Sequence, residues 1–253
     1  MTALEMVAIF LAGIGAGTIN TVVGSGTLIT FPTLLAMGVP PIVANVSNNI
    51  GLVPGSVSGV IGYRRELEGQ RSRLIRLGSA SLVGGVIGAV LLLVLPEAAF
   101  DAIVPVLIGV GVVLVALQPM IRKWIAARAG DSPPLPSHGS LWVWLLVLLA
   151  GVYGGYFGAA QGVLLMAVLG IGLHETMQRN NATKNVLAGV VNFVAAIIFI
   201  VIAEVDWLVV GLIALGAVIG GQLGATVGRR LPPLALRIVI IVVGTVAVVQ
   251  FVR

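Results

Sequence analysis

The sequence predicts an all-α, polytopic helical membrane protein of two inverted repeats, each a broken or short helix pair plus three spanning helices. Three observations carry this. The 253 residues are 58% hydrophobic and only 9% charged, against about 25% charge in a soluble domain. A single offset of 136 residues aligns the second half on the first. Loops equivalent under that offset carry opposite charge.

The apolar segments follow in order. Residues 4–23 come first, then a short run at 27–37, then 42–62, 74–95 and 100–121. A polar linker at 122–140 carries Pro133, Pro134 and Pro136. The second half repeats the plan at 141–157, a short 163–173, 182–203, 207–227 and 234–252. The domain plan is therefore a first repeat over 1–121, a cytoplasmic linker over 122–140 and a second, inverted repeat over 141–253. The run 27–37 covers roughly 17 Å as a helix, too short for a hydrocarbon core of about 30 Å. The N-terminus has no basic region before its first charge, Glu5, so no cleavable signal peptide is expected.

Under the offset Gly15 falls on Gly151, Gly26 on Gly162, Leu28 on Leu164, Asn45 on Asn181 and Asn49 on Asn185. Leu95-Pro96 falls on Leu231-Pro232. One ungapped register that matches amides and prolines as well as glycines reads as a duplication. Charge then relates the copies. Arg64, Arg65, Arg71, Arg73 and Arg76 face Glu204 and Asp206 in the equivalent loop. Glu97 and Asp101 face Arg229, Arg230 and Arg237. Basic loops stay cytoplasmic, so equivalent loops of opposite charge mean opposite orientation. The expectation is a multi-pass inner-membrane protein with its basic loops in the cytoplasm and both termini outside.

A short, glycine-broken segment followed by amides points to a carrier's binding site. The first break offers Gly24, Ser25, Gly26 and Thr27, and the second offers Gln161 and Gly162. Asn45, Asn48 and Asn49 follow the first short run, and Asn181, Lys184 and Asn185 follow the second. Half-helix N-termini present N–H groups and a positive dipole end, which suits an anion. Asn45 and Asn181 can equally be N-caps. Lys184, expected about a turn into its helix, either binds the anion or snorkels to the headgroups. Asn20 and Asn192 can simply bond neighbouring helices. His174-Glu175 can take up a proton or merely lie at the interface. Glycines four apart, such as Gly84 and Gly88, read as helix packing. Gly88→Ala is therefore expected to be milder than Leu at Gly26 or Gly162.

Other classes are poorly served. The chain has no cysteine, and no metalloprotease, nucleophile-elbow or phosphate-loop pattern occurs. No enzyme activity, metal or cofactor is expected. The net charge of +5 reports topology, so nucleic acid is not a partner; lipid and a small anion are. No carboxylate lies centrally in a span, where a cation or proton relay would need one. A proton-coupled carrier, an importer and a non-transporting subunit remain rivals. Oligomeric state is open, a homodimer being one arrangement.

The stretch GSGTLITFPTLLAMGVPPIVANVSNN, with its degenerate copy GAAQGVLLMAVLGIGLHETMQRNNATKN, resembles the TauE/SafE sulfite-exporter family (the TSUP family). The likeness covers nearly the whole chain. It implies transport of sulfur-containing anions such as sulfite, sulfonates or sulfoacetate, and in some members of other small organic anions; the outward direction is expected from the membrane potential. The family's first motif often has three glycines; here it reads Gly24-Ser25-Gly26, and the second has become Ala160-Gln161-Gly162.

Overall fold

The computed structural model describes residues 1–128 and 139–227, together with Ile238, Ile241, Val242 and Thr245. Most of the expected last segment, the Arg229–Arg237 loop and most of the linker lie outside the described residues. Nine α-helices and a short 3-10 turn make up the described chain. They are α1 (Ala3–Val22), α2 (Thr27–Ala36), α3 (Pro41–Gly62), α4 (Arg71–Val94), α5 (Glu97–Arg128), α6 (Leu141–Tyr156), α7 (Gln161–Gly172), α8 (Met177–Ile202) and α9 (Trp207–Thr226). The turn, Arg64–Leu67, joins α3 to α4. Five helices, α1, α4, α5, α8 and α9, are long and apolar enough to cross a membrane.

Local chemistry sets the ends. Thr2 and Glu5 form a reciprocal capping box at α1. Pro41 opens α3 at a position where its missing N–H is no loss. Thr176 caps α8 by accepting from Arg179 N–H, and Asp206 caps α9 through Leu208 and Val209 N–H. Asn45 and Asn181 are therefore not N-caps. The helices begin four residues earlier in each copy, at Pro41 and Met177, which leaves both amides in the second turn. One further boundary moves: α5 continues past Ile121 to Arg128, into the segment read as linker.

The repeat is visible in three dimensions. α3 and α8 start 136 residues apart, at Pro41 and Met177, and so do α4 and α9, at Arg71 and Trp207. α1 lies along α9, with Gly13 against Ile213 and Gly17 against Ala217. α6 lies along α4 in the equivalent way, with Gly151 against Gly84 and Gly155 against Gly85. Each copy's first helix thus packs on the other copy's fourth, and the copies interdigitate.

Contacts also give direction. α3 runs parallel to α9, since Gly51 meets Ile213, Gly55 meets Ala217 and Gly62 meets Ala225. α4 runs parallel to α8, since Gln70 bonds Thr183 and Gly85 packs on Val191. α3 and α8 run antiparallel: Asn192 reaches Ser56, while Ala182 packs near Tyr63. Partner helices of the two copies therefore point in opposite directions, which is an inverted repeat.

This arrangement sorts the charges. Glu5, Glu97, Asp101, Glu204 and Asp206 gather at the end where α1, α3 and α9 begin. Arg64, Arg65, Arg71, Arg73, Arg76 and Arg179 gather at the other, with Glu66, Glu68 and Glu175. The outer faces are apolar, as lipid requires: Leu82, Ile87, Val201 and Leu215 are all exposed.

Candidate functional site

The two breaks meet inside the bundle. α1 stops at Val22 and Gly24 takes φ +91°. α6 stops at Tyr156, and Ala160 takes φ +59° just before α7. Positions 24 and 160 are equivalent, so both copies turn through the left-handed region at one place. Glycine does this freely; alanine pays about 1–2 kcal/mol. Gly162 N–H donates to Gly24 O at 2.9 Å. A Cβ on Gly24 would fall 2.9 Å from the Gly162 carbonyl carbon. The glycines thus bring the backbones of the two copies into contact at the breaks.

Beside this contact are two polar side chains with nothing to bond. Ser25 is 0% exposed and Gln161 3%. Ser25 Oγ and Gln161 Nε2 have no hydrogen-bond partner. They too are equivalent positions, each at the start of a short helix, α2 or α7. A buried unsatisfied polar atom costs about 1–3 kcal/mol, and here each copy carries one at the same place.

The asparagines cap the broken helices across the copies. Asn45 Nδ2 donates to Tyr156 O, the last carbonyl of α6, at 3.0 Å. Asn181 Nδ2 donates to Thr21 O, near the end of α1, at 3.1 Å. Lys184 Nζ donates to Asn20 O at 2.9 Å and Thr21 O at 3.2 Å. Asn185 Nδ2 adds a contact to Thr21 O at 3.3 Å. Helix C-termini carry negative partial charge, so an ammonium and amides suit them.

Lys184 does not snorkel. It is 0% exposed and two turns inside α8, because the polar stretch before it is already helical. Its Cδ would lie 3.0 Å from a Cβ placed on Gly162, so its stem passes the second break.

Other candidates go elsewhere. Asn48 pairs with α2, accepting from Thr30 Oγ1 and reaching Thr27 Oγ1 at 3.4 Å. Asn49 reaches Asn192 Oδ1, and Asn192 reaches Ser56 Oγ, each at 3.5 Å. Those two contacts tie α3 to α8 loosely. Thr30 was missed in the sequence, although it lies three residues after Thr27 and so on the same helix face.

Both ends of the site are covered. Towards the acidic end, Phe31 stacks edge-on against Phe157 with centroids 5.0 Å apart, and Phe100 lies 6.4 Å from Phe157. Towards the basic end, Glu175 accepts from Arg73 at 3.0 Å and Arg179 at 2.7 Å. Arg73 also donates to Gln70 Oε1, which accepts from Thr183 as well. This latch joins α4 to the loop before α8.

Burial acts to raise the Glu175 carboxyl, but hydrogen bonds and charge from Arg73 and Arg179 hold it below its ordinary value. A depressed carboxylate stabilises fully above its unfolded pKa of about 4.3 and loses that only as pH falls through the lower folded value. Glu175→Gln should therefore lower the melting temperature equally at every pH from 5 to 8, and the difference should shrink in stronger acid. A difference that instead changed around neutrality would show Glu175 titrating there.

An inverted helical repeat with two half-helices meeting at buried polar groups is the architecture of a membrane transporter. The family model described as "Sulfite exporter TauE/SafE" matches residues 9–251. The chain belongs to that family, and is a membrane transporter of it. Relatives agree. A "Probable membrane transporter protein ORF9" of Sinorhizobium sp is 28% identical over 221 residues, covering 86% of this chain and 80% of the relative. The "Probable membrane transporter protein YfcA" of Escherichia coli K12 is 25% identical over 224 residues, 88% of this chain and 79% of the relative. A "Probable membrane transporter protein" of Haemophilus influenzae is 24% identical over 225 residues, 88% and 85% respectively.

Proposed function

We propose that this transporter exports a small sulfur-containing anion, of the sulfite, sulfonate or sulfoacetate class, by alternating access at the meeting point of the two breaks. One observation carries the site: equivalent residues of the two copies, Ser25 and Gln161, hold polar atoms there with no partner. Both groups can donate, and an oxoanion accepts. The N-termini of α2 and α7 add positive partial charge. Around them the caps Asn45, Asn181, Lys184 and Asn185 bond the ends of the broken helices, and Asn48 joins Thr27 and Thr30 beside the first break. The anion class rests on the family's name and on this donor set. The direction rests on the membrane potential, since an anion leaves a negative interior downhill.

Orientation follows from the charge sorting. The Arg-rich end faces the cytoplasm of the inner membrane and the Glu97–Glu204 end faces outside. In intact cells, an impermeant thiol reagent added outside should label Arg71→Cys weakly and Glu97→Cys strongly. The native chain has no cysteine to confuse the result. Labelling of both from outside would contradict the orientation.

Substrate is tested by a thermal-shift screen of purified protein against sulfite, thiosulfate, sulfoacetate, taurine and simple carboxylates. A ligand at about 100 times its Kd should stabilise the fold by about 2.7 kcal/mol. A shift with carboxylates but none with sulfur oxoanions would overturn the substrate class.

A further inference from the structure

We infer that Lys184 is a tethered cation, holding the place at the α1 C-terminus that a coupling ion such as Na⁺ takes in carriers built on broken helices, so that this chain moves its anion without Na⁺. In such carriers half-helix C-termini and unwound carbonyls coordinate the coupling cation. Here α1 ends inside the bundle, and its carbonyls at Asn20 and Thr21 accept from Lys184 Nζ at 2.9 and 3.2 Å. A coupling ion would meet the same oxygens.

Two further observations separate this from ordinary helix capping. First, the device is confined to one copy. The position equivalent to Lys184 is Asn48, whose amide turns to Thr27 and Thr30 on α2, while the α6 end receives the amide of Asn45. Capping a broken helix in this fold is thus achieved without a full charge. Second, Asn181, which shares the Thr21 carbonyl with Lys184, has a buried oxygen to spare. Asn181 donates its Nδ2 to Thr21 O, and its Oδ1 is buried without a partner. With the ammonium removed, Asn20 O and Thr21 O offer oxygens of the kind a small monovalent cation binds. The inference rests on the anion-carrier reading for its transport arm; its cation-binding arm stands apart from that reading.

The test uses full-length protein with Lys184→Ala, which shortens the side chain and opens that space. Anion uptake into proteoliposomes and melting temperature in detergent are measured in Na⁺, methylammonium or bulky N-methylglucamine. Wild type should behave alike in all three. Lys184→Ala should lose about tenfold or more in uptake in N-methylglucamine, as expected for a lost charge-assisted contact. It should recover in Na⁺ or methylammonium, and its melting temperature should rise with those cations. Lys184→Gln, which fills the space without charge, should not be rescued. A wild type that needs Na⁺, or a Lys184→Ala protein indifferent to all three cations, overturns the inference. If Lys184→Ala folds in no buffer, the wild-type arm decides: indifference to Na⁺ upholds the inference and a requirement overturns it. Ser25→Ala in the same buffers keeps the readings apart, because it weakens anion binding without creating any cation dependence. An unweakened Ser25→Ala counts against the anion site and leaves the cation result standing.

Discussion

Gly88→Ala should largely abolish folded protein, while Gly78→Ala on the same helix should be harmless. A Cβ on Gly88 would overlap Val152 O and lie 2.7 Å from Tyr156 N, both backbone atoms of α6. Backbone cannot rotate aside as a side chain can, so α4 and α6 must separate along their length. Overpacking costs about 1–3 kcal/mol where side chains can yield, and more where they cannot. At Gly78 a Cβ meets nothing within 4 Å, and alanine should gain about 0.5–1 kcal/mol of helix stability. Fluorescence-detected gel filtration of the two variants measures this directly. This expectation is more severe than the one from glycine spacing, which makes Gly88→Ala milder than Leu at Gly26 or Gly162. Spacing identifies the packed face, but not how closely the backbones approach there.

Ser25→Ala combined with Gln161→Leu should weaken anion binding without weakening the fold. Each native polar atom is buried with no hydrogen-bond partner. Removing it gives up no internal hydrogen bond and relieves desolvation, so melting temperature should hold or rise. Binding behaves oppositely. Each hydrogen bond to a charged ligand is worth about 1.5–3 kcal/mol, so losing both should reduce affinity by at least a hundredfold. Parallel thermal melts and equilibrium binding of a radiolabelled anion separate the two effects. Falling stability together with falling affinity would mean that these residues are structural.

Much of this was legible because membrane helices advertise themselves by continuous apolar composition, and because duplication repeats its punctuation. The breaks, the offset and the opposed charge of equivalent loops all came through. What escaped was long-range. Asn45 meets Tyr156 across 111 residues and Asn181 meets Thr21 across 160, and no local period encodes such pairs. The start of α8 was misplaced because Gln178, Arg179, Asn180 and Asn181 look like loop; they are helical because Thr176 caps them and Glu175 anchors Arg179. That shift of one turn converted Lys184 from a plausible snorkelling residue to a buried one. The latch at Glu175 was equally hidden, since its partner Arg73 lies 102 residues away.

Protection of single cysteines at the breaks is the most direct measurement on the central claim, that one anion binds where the two copies meet. Ser25→Cys and Gln161→Cys each place the chain's one thiol at an equivalent position. Their labelling by a small thiol reagent is followed in purified protein against rising concentrations of the anion chosen by the thermal-shift screen. The account predicts that both rates fall with the same half-maximal concentration, while Arg71→Cys labels unchanged. Labelling at 25 and 161 that ignores the anion, while the anion still stabilises the protein, would contradict it and place the site elsewhere in the bundle.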